Sequence, residues 1–163
     1  MRRRKTPVDP WEALLRLLRY RPRSCAEVQT RLVKLGFSPD EISEVIERGK
    51  DAGLLDDRLF AKLWVEDRLA HHPLSRRALI RELEEKGIAA KTISQVMADL
   101  YPAQDESRIA LDLARTRMAR YSGIDRDVRM RRTFNFLLRR GFSVSLAREV
   151  VREIERLSDR EIE

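Results

Sequence analysis

Cysteine is nearly absent from this 163-residue chain: Cys25 stands alone, so no internal disulfide can form and a reducing compartment is the natural setting. The two histidines, His71 and His72, are neighbours, and adjacent helical positions point about 100° apart, poor geometry for holding one metal ion. Six glycines and six prolines leave little room for long unstructured segments. Aromatics number ten, mostly at core-like positions, so a platform for stacking single-stranded bases is not indicated. No apolar run approaches the roughly 18 residues that span a bilayer. The basic start Met1-Arg2-Arg3-Arg4-Lys5 lacks the apolar stretch of a secretory signal. Nothing alternates with period two, so no strands are expected. Glycine-rich phosphate loops and nucleophile elbows are missing too. Cys25 sits just inside a helix start, where the helix dipole could lower its pKa, but a bystander thiol is the reading favoured. Asp56-Asp57 reads as a helix start rather than a metal or acid–base pair. These absences point to an all-α, cytoplasmic protein with no cofactor, no metal and no enzymatic centre.

What the chain has in quantity is charge. Charged residues make up 37% of it, against roughly 25% in an average soluble domain, and the net charge is +7. Six of the 34 cations are lysine, so 28 are arginine. Arginine's planar fork suits phosphate and carboxylate, although a broad compositional preference for arginine would give the same count. Placement separates the two explanations. Residues 2–34 carry ten basic and three acidic side chains, and residues 108–148 carry eleven and three. Residues 35–104 carry ten and thirteen. Positive charge gathered toward both ends favours an anionic partner over mere solubility.

One phrase recurs three times: an apolar helix face, a basic stretch, a glycine, then a large apolar residue. The copies are Leu32-Val33-Lys34-Leu35-Gly36-Phe37, Leu83-Glu84-Glu85-Lys86-Gly87-Ile88 and Leu137-Leu138-Arg139-Arg140-Gly141-Phe142. Their glycines lie 51 and 54 residues apart, a period typical of stacked helical units. The pattern predicts three tandem three-helix repeats over residues 10–54, 55–101 and 102–158, forming an elongated, curved array. A disordered basic arm over 1–9 and a frayed C-terminus over 159–163 flank them. Asp9-Pro10 resembles a cap and first helical position. Trp11, Leu14, Leu15 and Leu18 form the first apolar face. Ser24 and Glu27 make a capping box for a helix with Val28, Leu32 and Leu35 inward, stopped at Gly36. Ser38-Pro39 opens the third helix. In the second repeat Phe60, Leu63, Trp64 and Leu69 face inward, His71-His72-Pro73 breaks the helix and Ser75 restarts it. The third repeat has a longer first helix, a turn at Ser122-Gly123, a helix with Val128, Phe134, Leu137 and Leu138, and a last helix from Ser143 to about Leu157. Matching positions around each glycine hold Leu32, Leu83 and Leu137; Phe37, Ile88 and Phe142; and Ile42, Ile93 and Ala147. These read as core.

The basic surface is the functional candidate, because paired cations on one helix face can reach phosphates or acidic side chains together. Arg31 and Lys34 are three apart on the second helix of the first repeat. Arg77 and Arg81 are four apart on the matching helix of the second. Arg129 and Arg132 share a face on the matching helix of the third, with Arg139 and Arg140 at its end.

Four phrases in order make the chain resemble the RecX regulatory family. They are Arg23-Ser24 with Glu27-Val28, Gly53-Leu54-Leu55-Asp56-Asp57 followed by Phe60-Ala61, Glu82-Leu83 with Lys86-Gly87-Ile88, and Leu137-Leu138-Arg139-Arg140-Gly141-Phe142. The resemblance runs from about Trp11 to Leu157. It implies a bacterial protein that lies in the groove of the RecA–DNA filament and inhibits strand exchange, ATPase and co-protease activity. Recombination, DNA repair and the SOS response would be modulated in consequence. Where family members often carry a glycine, this chain has Pro73-Leu74-Ser75. The residues also allow a second reading, a helical-repeat protein that binds DNA directly, weakly and without sequence preference. In either reading the free chain is expected to be a monomer that leaves membranes alone.

Overall fold

The computed structural model describes residues 9–121 and 123–160, with side chains through residue 157. The expected basic arm (Asp9 apart), residue 122 of the expected turn and the last three residues of the expected frayed end lie outside that range. Among the described residues the regular structure is helical: α1 (Pro10–Tyr20), α2 (Cys25–Leu35), α3 (Pro39–Asp51), α4 (Asp57–His71), α5 (Arg76–Glu85), α6 (Ala90–Leu100), α7 (Glu106–Ala119), α8 (Arg126–Arg139) and α9 (Val144–Arg160). A single 3-10 turn, Ala103–Asp105, leads into α7.

Local chemistry sets the starts and stops. Ser24 accepts from the Glu27 N–H at 3.1 Å while the Glu27 carboxylate accepts from the Ser24 N–H at 3.1 Å, a complete capping box. Ser38 and Glu41 form a second one at the start of α3. Asp56 caps α4 through the Leu59 N–H, and Ser75 caps α5 through the Ala78 N–H. Asp9 precedes Pro10 in extended backbone, yet its side chain makes no cap bond, so α1 starts on the proline alone.

Most of the expected core is buried. Leu32, Leu83, Leu137, Ile88, Phe142, Ile42, Ile93 and Ala147 all fall below a tenth exposed. Three leucines depart from expectation: Leu15, Leu35 and Leu63 are 43%, 51% and 43% exposed. In α4 the buried positions are Phe60, Ala61 and Val65, which places Leu63 on the far side of the helix. In α2, Phe37 beyond the glycine packs where Leu35 was expected. In α8 the more buried aromatic is Phe136, 9% exposed, while half-buried Phe134 packs against the second unit's core.

The chain forms two compact units that cut across the repeats. The first runs to Leu63 and takes in Leu83–Ile93; the second holds Trp64–Glu82 and the chain from Ser94 onward. Within the first, Ala13, Leu14, Val28, Leu32, Ile42, Val45, Ile46 and Leu55 make one apolar core. Within the second, Ala110, Ala114, Met118, Leu137, Phe142, Ala147, Val150 and Ile154 make another.

Each unit also contains one joint between successive repeats, and the two joints use equivalent residues. In the first, the Ser24 hydroxyl donates to the Lys86 carbonyl at 2.6 Å, and Gly87 abuts Ala26 so closely that an added Cβ would lie 2.3 Å from the alanine methyl. In the second, the Ser75 N–H donates to the Arg140 carbonyl at 3.0 Å, and a Cβ on Gly141 would meet Ser75 and Ala78 at 2.7 and 2.8 Å. Ser24 and Ser75 each stand twelve residues before the glycine of their own repeat. The third repeat breaks the rule. Its cap, Asp125, stands sixteen residues before Gly141, so α8 is about one turn longer.

Candidate interaction surface

Cations in this chain divide into those held by carboxylates and those that are not. In the first unit Glu27 is clamped between Arg21 and Lys86, each at 2.9 Å. Burial works to raise the Glu27 carboxyl. The hydrogen bonds from Arg21, Lys86 and the Ser24 backbone outweigh it and hold the group at about 2. In the second unit the Glu82 carboxylate takes the Arg68 Nε–H at 2.8 Å and the Trp64 indole N–H at 2.7 Å, with the Arg68 guanidinium over the indole. These cations are structural.

A different arrangement occupies α7 and α8. The Arg140 guanidinium lies 5.1 Å from the Phe136 ring centre and that of Arg117 lies 4.8 Å from the same ring. Arg117 also lies 5.3 Å from the Tyr121 ring, donates from Nε to the Tyr121 hydroxyl at 2.9 Å, and shares that ring with Arg132 at 5.8 Å. Arginine and aromatic therefore alternate in the order Arg140, Phe136, Arg117, Tyr121, Arg132. Stacking holds each guanidinium in place without neutralising it. Helical spacing builds two of its steps: Arg117–Tyr121 and Phe136–Arg140 are each four apart.

The Arg140 end of the ladder opens into a cleft of about 540 Å³ between the end of α4, α7 and the end of α8. Arg108, Arg117, Arg120 and Arg140 line it, with His71, His72 and the single carboxylate Asp112. Asp112 lies 3.9 Å from Arg108. Burial, and then the neighbouring Arg117 cation, push the Arg140 guanidinium below its ordinary value.

The other sequence-predicted cations fall elsewhere. Arg31 and Lys34 are exposed on α2 and line a shallower groove of about 370 Å³ with Arg23, Glu27 and Lys86. Arg77 and Arg81 are exposed on α5. On α8, Arg132 and Arg139 are exposed, whereas Arg129 is half-buried with its Nε buried and unbonded. Arg129 and Arg132 thus do not present one common solvent face. Sequence reasoning missed Arg117, Arg120, Tyr121 and Phe136, and named Phe134 in place of the last. The four-residue spacing of arginine with aromatic was the available signal.

The remaining chemical candidates are accounted for. The Cys25 N–H donates to the Asp57 carboxylate at 2.8 Å. Burial first, then that anion, push the thiol up to about 11, so the helix dipole does not activate it. His71 pairs with Asp67 one turn earlier, its Nδ1 3.2 Å from the carboxylate. Among the described residues no cluster of three or more His, Cys, Asp or Glu side chains could hold a metal ion. Nor is any described helix long and apolar enough to cross a membrane.

The sequence matches three family models: RecX first three-helix domain over residues 11–48, second over 56–97 and third over 104–151. It is 39% identical over 139 residues to the regulatory protein RecX of Thermobifida fusca, covering 85% of this chain and 75% of that protein. It is 37% identical over 150 residues to that of Streptomyces coelicolor, covering 91% and 79%. Among solved structures, RecX from Lactobacillus salivarius superposes with a TM-score of 0.72 at 25% identity, covering 90% of this chain and 94% of that one. Another RecX crystal structure shares the fold, with a TM-score of 0.66 at 19% identity.

Proposed function

The chain belongs to the RecX family of regulatory proteins, and from that premise we propose that it binds the RecA–DNA filament and inhibits its recombinase, ATPase and co-protease activities. It does so in the cytoplasm as a monomer, by occupying surface rather than by catalysis, and needs no cofactor. The observation that carries the reading beyond the family name is the set of stacked arginines along α7 and α8 that have no carboxylate partner among the described residues. A filament offers what they lack, a dense run of phosphates and carboxylates, and an occupied groove would deny that surface to the incoming strand.

The exposed cations of α5 and α8 are the proposed contacts: Arg77, Arg81, Arg132 and Arg139, with Arg31 and Lys34 on α2. Arg132→Glu with Arg139→Glu is the cleanest test. Co-sedimentation of this double variant with a preformed filament is expected to fall at least tenfold in affinity, with helicity unchanged by circular dichroism. Unchanged co-sedimentation would move the contact to another face.

The same arginines support the second reading, direct sequence-independent DNA binding. Neutralising phosphates releases counterions, so such affinity would fall steeply with salt. DNA binding that persists undiminished as salt rises would rule that reading out.

A further inference from the structure

We propose that the cleft between the end of α4, α7 and the end of α8 is a binding site for a phosphate group, gripped by Arg117 and Arg140. The phosphate would be presented by a nucleic-acid strand or by a free nucleotide. The inference stands whether or not the chain acts on a filament.

Two guanidiniums share one phenyl ring here, 4.8 and 5.1 Å from its centre. Among the described residues neither has a carboxylate within 4.0 Å. Among the described residues the Arg117 side chain donates to the Tyr121 hydroxyl alone, and that of Arg140 reaches only the Pro73 carbonyl, at a long 3.5 Å. Each fork has five N–H donors, so most of these donors are unused. Burying a cation and holding a like charge beside it both cost free energy, and burial first, then the Arg117 cation, lower the affinity of Arg140 for its proton. Elsewhere the chain relieves such a cost with its own acids, as Glu27 does for Arg21 and Lys86. In the cleft it does not, because Asp112 is turned to Arg108.

The chemistry of the missing partner follows from the donors. One carboxylate has two oxygens and a single charge, enough for one fork. A phosphate has more oxygens, can carry two charges, and can accept from two forks at once. Arg120 lines the same cleft and adds a third cation. The volume, about 540 Å³, falls within the range of small-molecule sites and leaves room for the sugar attached to the phosphate. Leu69, Ile109 and Leu113 supply apolar wall against which that remainder can rest.

The test is binding of millimolar inorganic phosphate to the full chain, read by phosphorus NMR line broadening at constant ionic strength. Saturable binding is expected, weakened at least tenfold by Arg117→Gln and by Arg140→Gln, and within twofold of the parent in Arg148→Gln, an exposed cation of α9 away from the cleft. Arg140→Lys keeps the charge and stem, so its fold is safe. It should still weaken binding several-fold, because the planar fork is lost. Competition then identifies the source. Displacement by a 5′-phosphorylated oligonucleotide, but not by the same strand without its phosphate, assigns a strand terminus. Displacement by a nucleoside triphosphate at lower concentration assigns a free nucleotide. No saturable binding, binding that survives both glutamine variants, or stronger displacement by polyglutamate of equal charge would each overturn the proposal.

Discussion

Glu27 is the residue on which one joint turns. Its folded pKa, about 2, lies below the ordinary 4.5, so the group stabilises the fold above the unfolded value and loses that contribution as pH falls toward 2. Its side chain is 16% exposed, so solvent screening is modest, and the lowering from 4.5 to about 2 corresponds to about 3 kcal/mol at neutral pH. Urea unfolding of Glu27→Gln should therefore show a deficit of about that size at pH 7 that shrinks below about pH 4.5 and vanishes only as pH falls through about 2. A deficit independent of pH would mean that the clamp acts through packing. The Ser24–Glu27 box was legible from its spacing. The clamp was not, because Lys86 is 59 residues away and nothing local announces it. Cys25 teaches the opposite lesson. Position at a helix start could have lowered its pKa, but burial first, and then the carboxylate of Asp57, distant in sequence, raise it instead, in keeping with a bystander thiol. Its reaction with a thiol reagent at pH 8 should be at least tenfold slower folded than unfolded, and Asp57→Asn should speed it.

At the scale of elements, three glycines that look alike in sequence do different work. All end a helix with positive φ, 91°, 74° and 88° for Gly36, Gly87 and Gly141. An alanine at Gly36 meets nothing within 4 Å and pays only the left-handed strain, about 1–2 kcal/mol. An alanine at Gly87 pays the same and also strikes Ala26, so Gly87→Ala should cost clearly more than Gly36→Ala in denaturant unfolding. Equal costs would show that the joint relaxes freely. Leu83, fully buried, should lose about 2–5 kcal/mol as alanine. The repeat period made the helices and their core positions legible, since Leu32, Leu83 and Leu137 recur in one register. Faces were less legible: Leu63 and Leu35 satisfy an apolar spacing and still point outward, because which side of a thin helix is covered depends on neighbours distant in sequence. Pro73-Leu74-Ser75, the departure from the family pattern, proves to be a working helix start, with Ser75 both capping α5 and binding the Arg140 carbonyl.

For the molecule as a whole, composition located the surplus of arginine at the two ends, and the structure gives part of it a definite form. Arg132 and Arg140 were picked out on and just after α8; the ladder that organises them needed Arg117 of α7 and Tyr121 just beyond it, which only folding brings alongside. The same fold withdraws Arg129, whose Nε is buried, so Arg129→Glu should destabilise the chain where Arg132→Glu does not. The central claim is regulation of a recombinase filament by surface occupancy. Its most direct test is the single-stranded-DNA-dependent ATPase of RecA with this chain added at rising substoichiometric ratios. A strong fall at ratios well below one protein per RecA is the result this account predicts; an ATPase rate unchanged up to equimolar protein would contradict it.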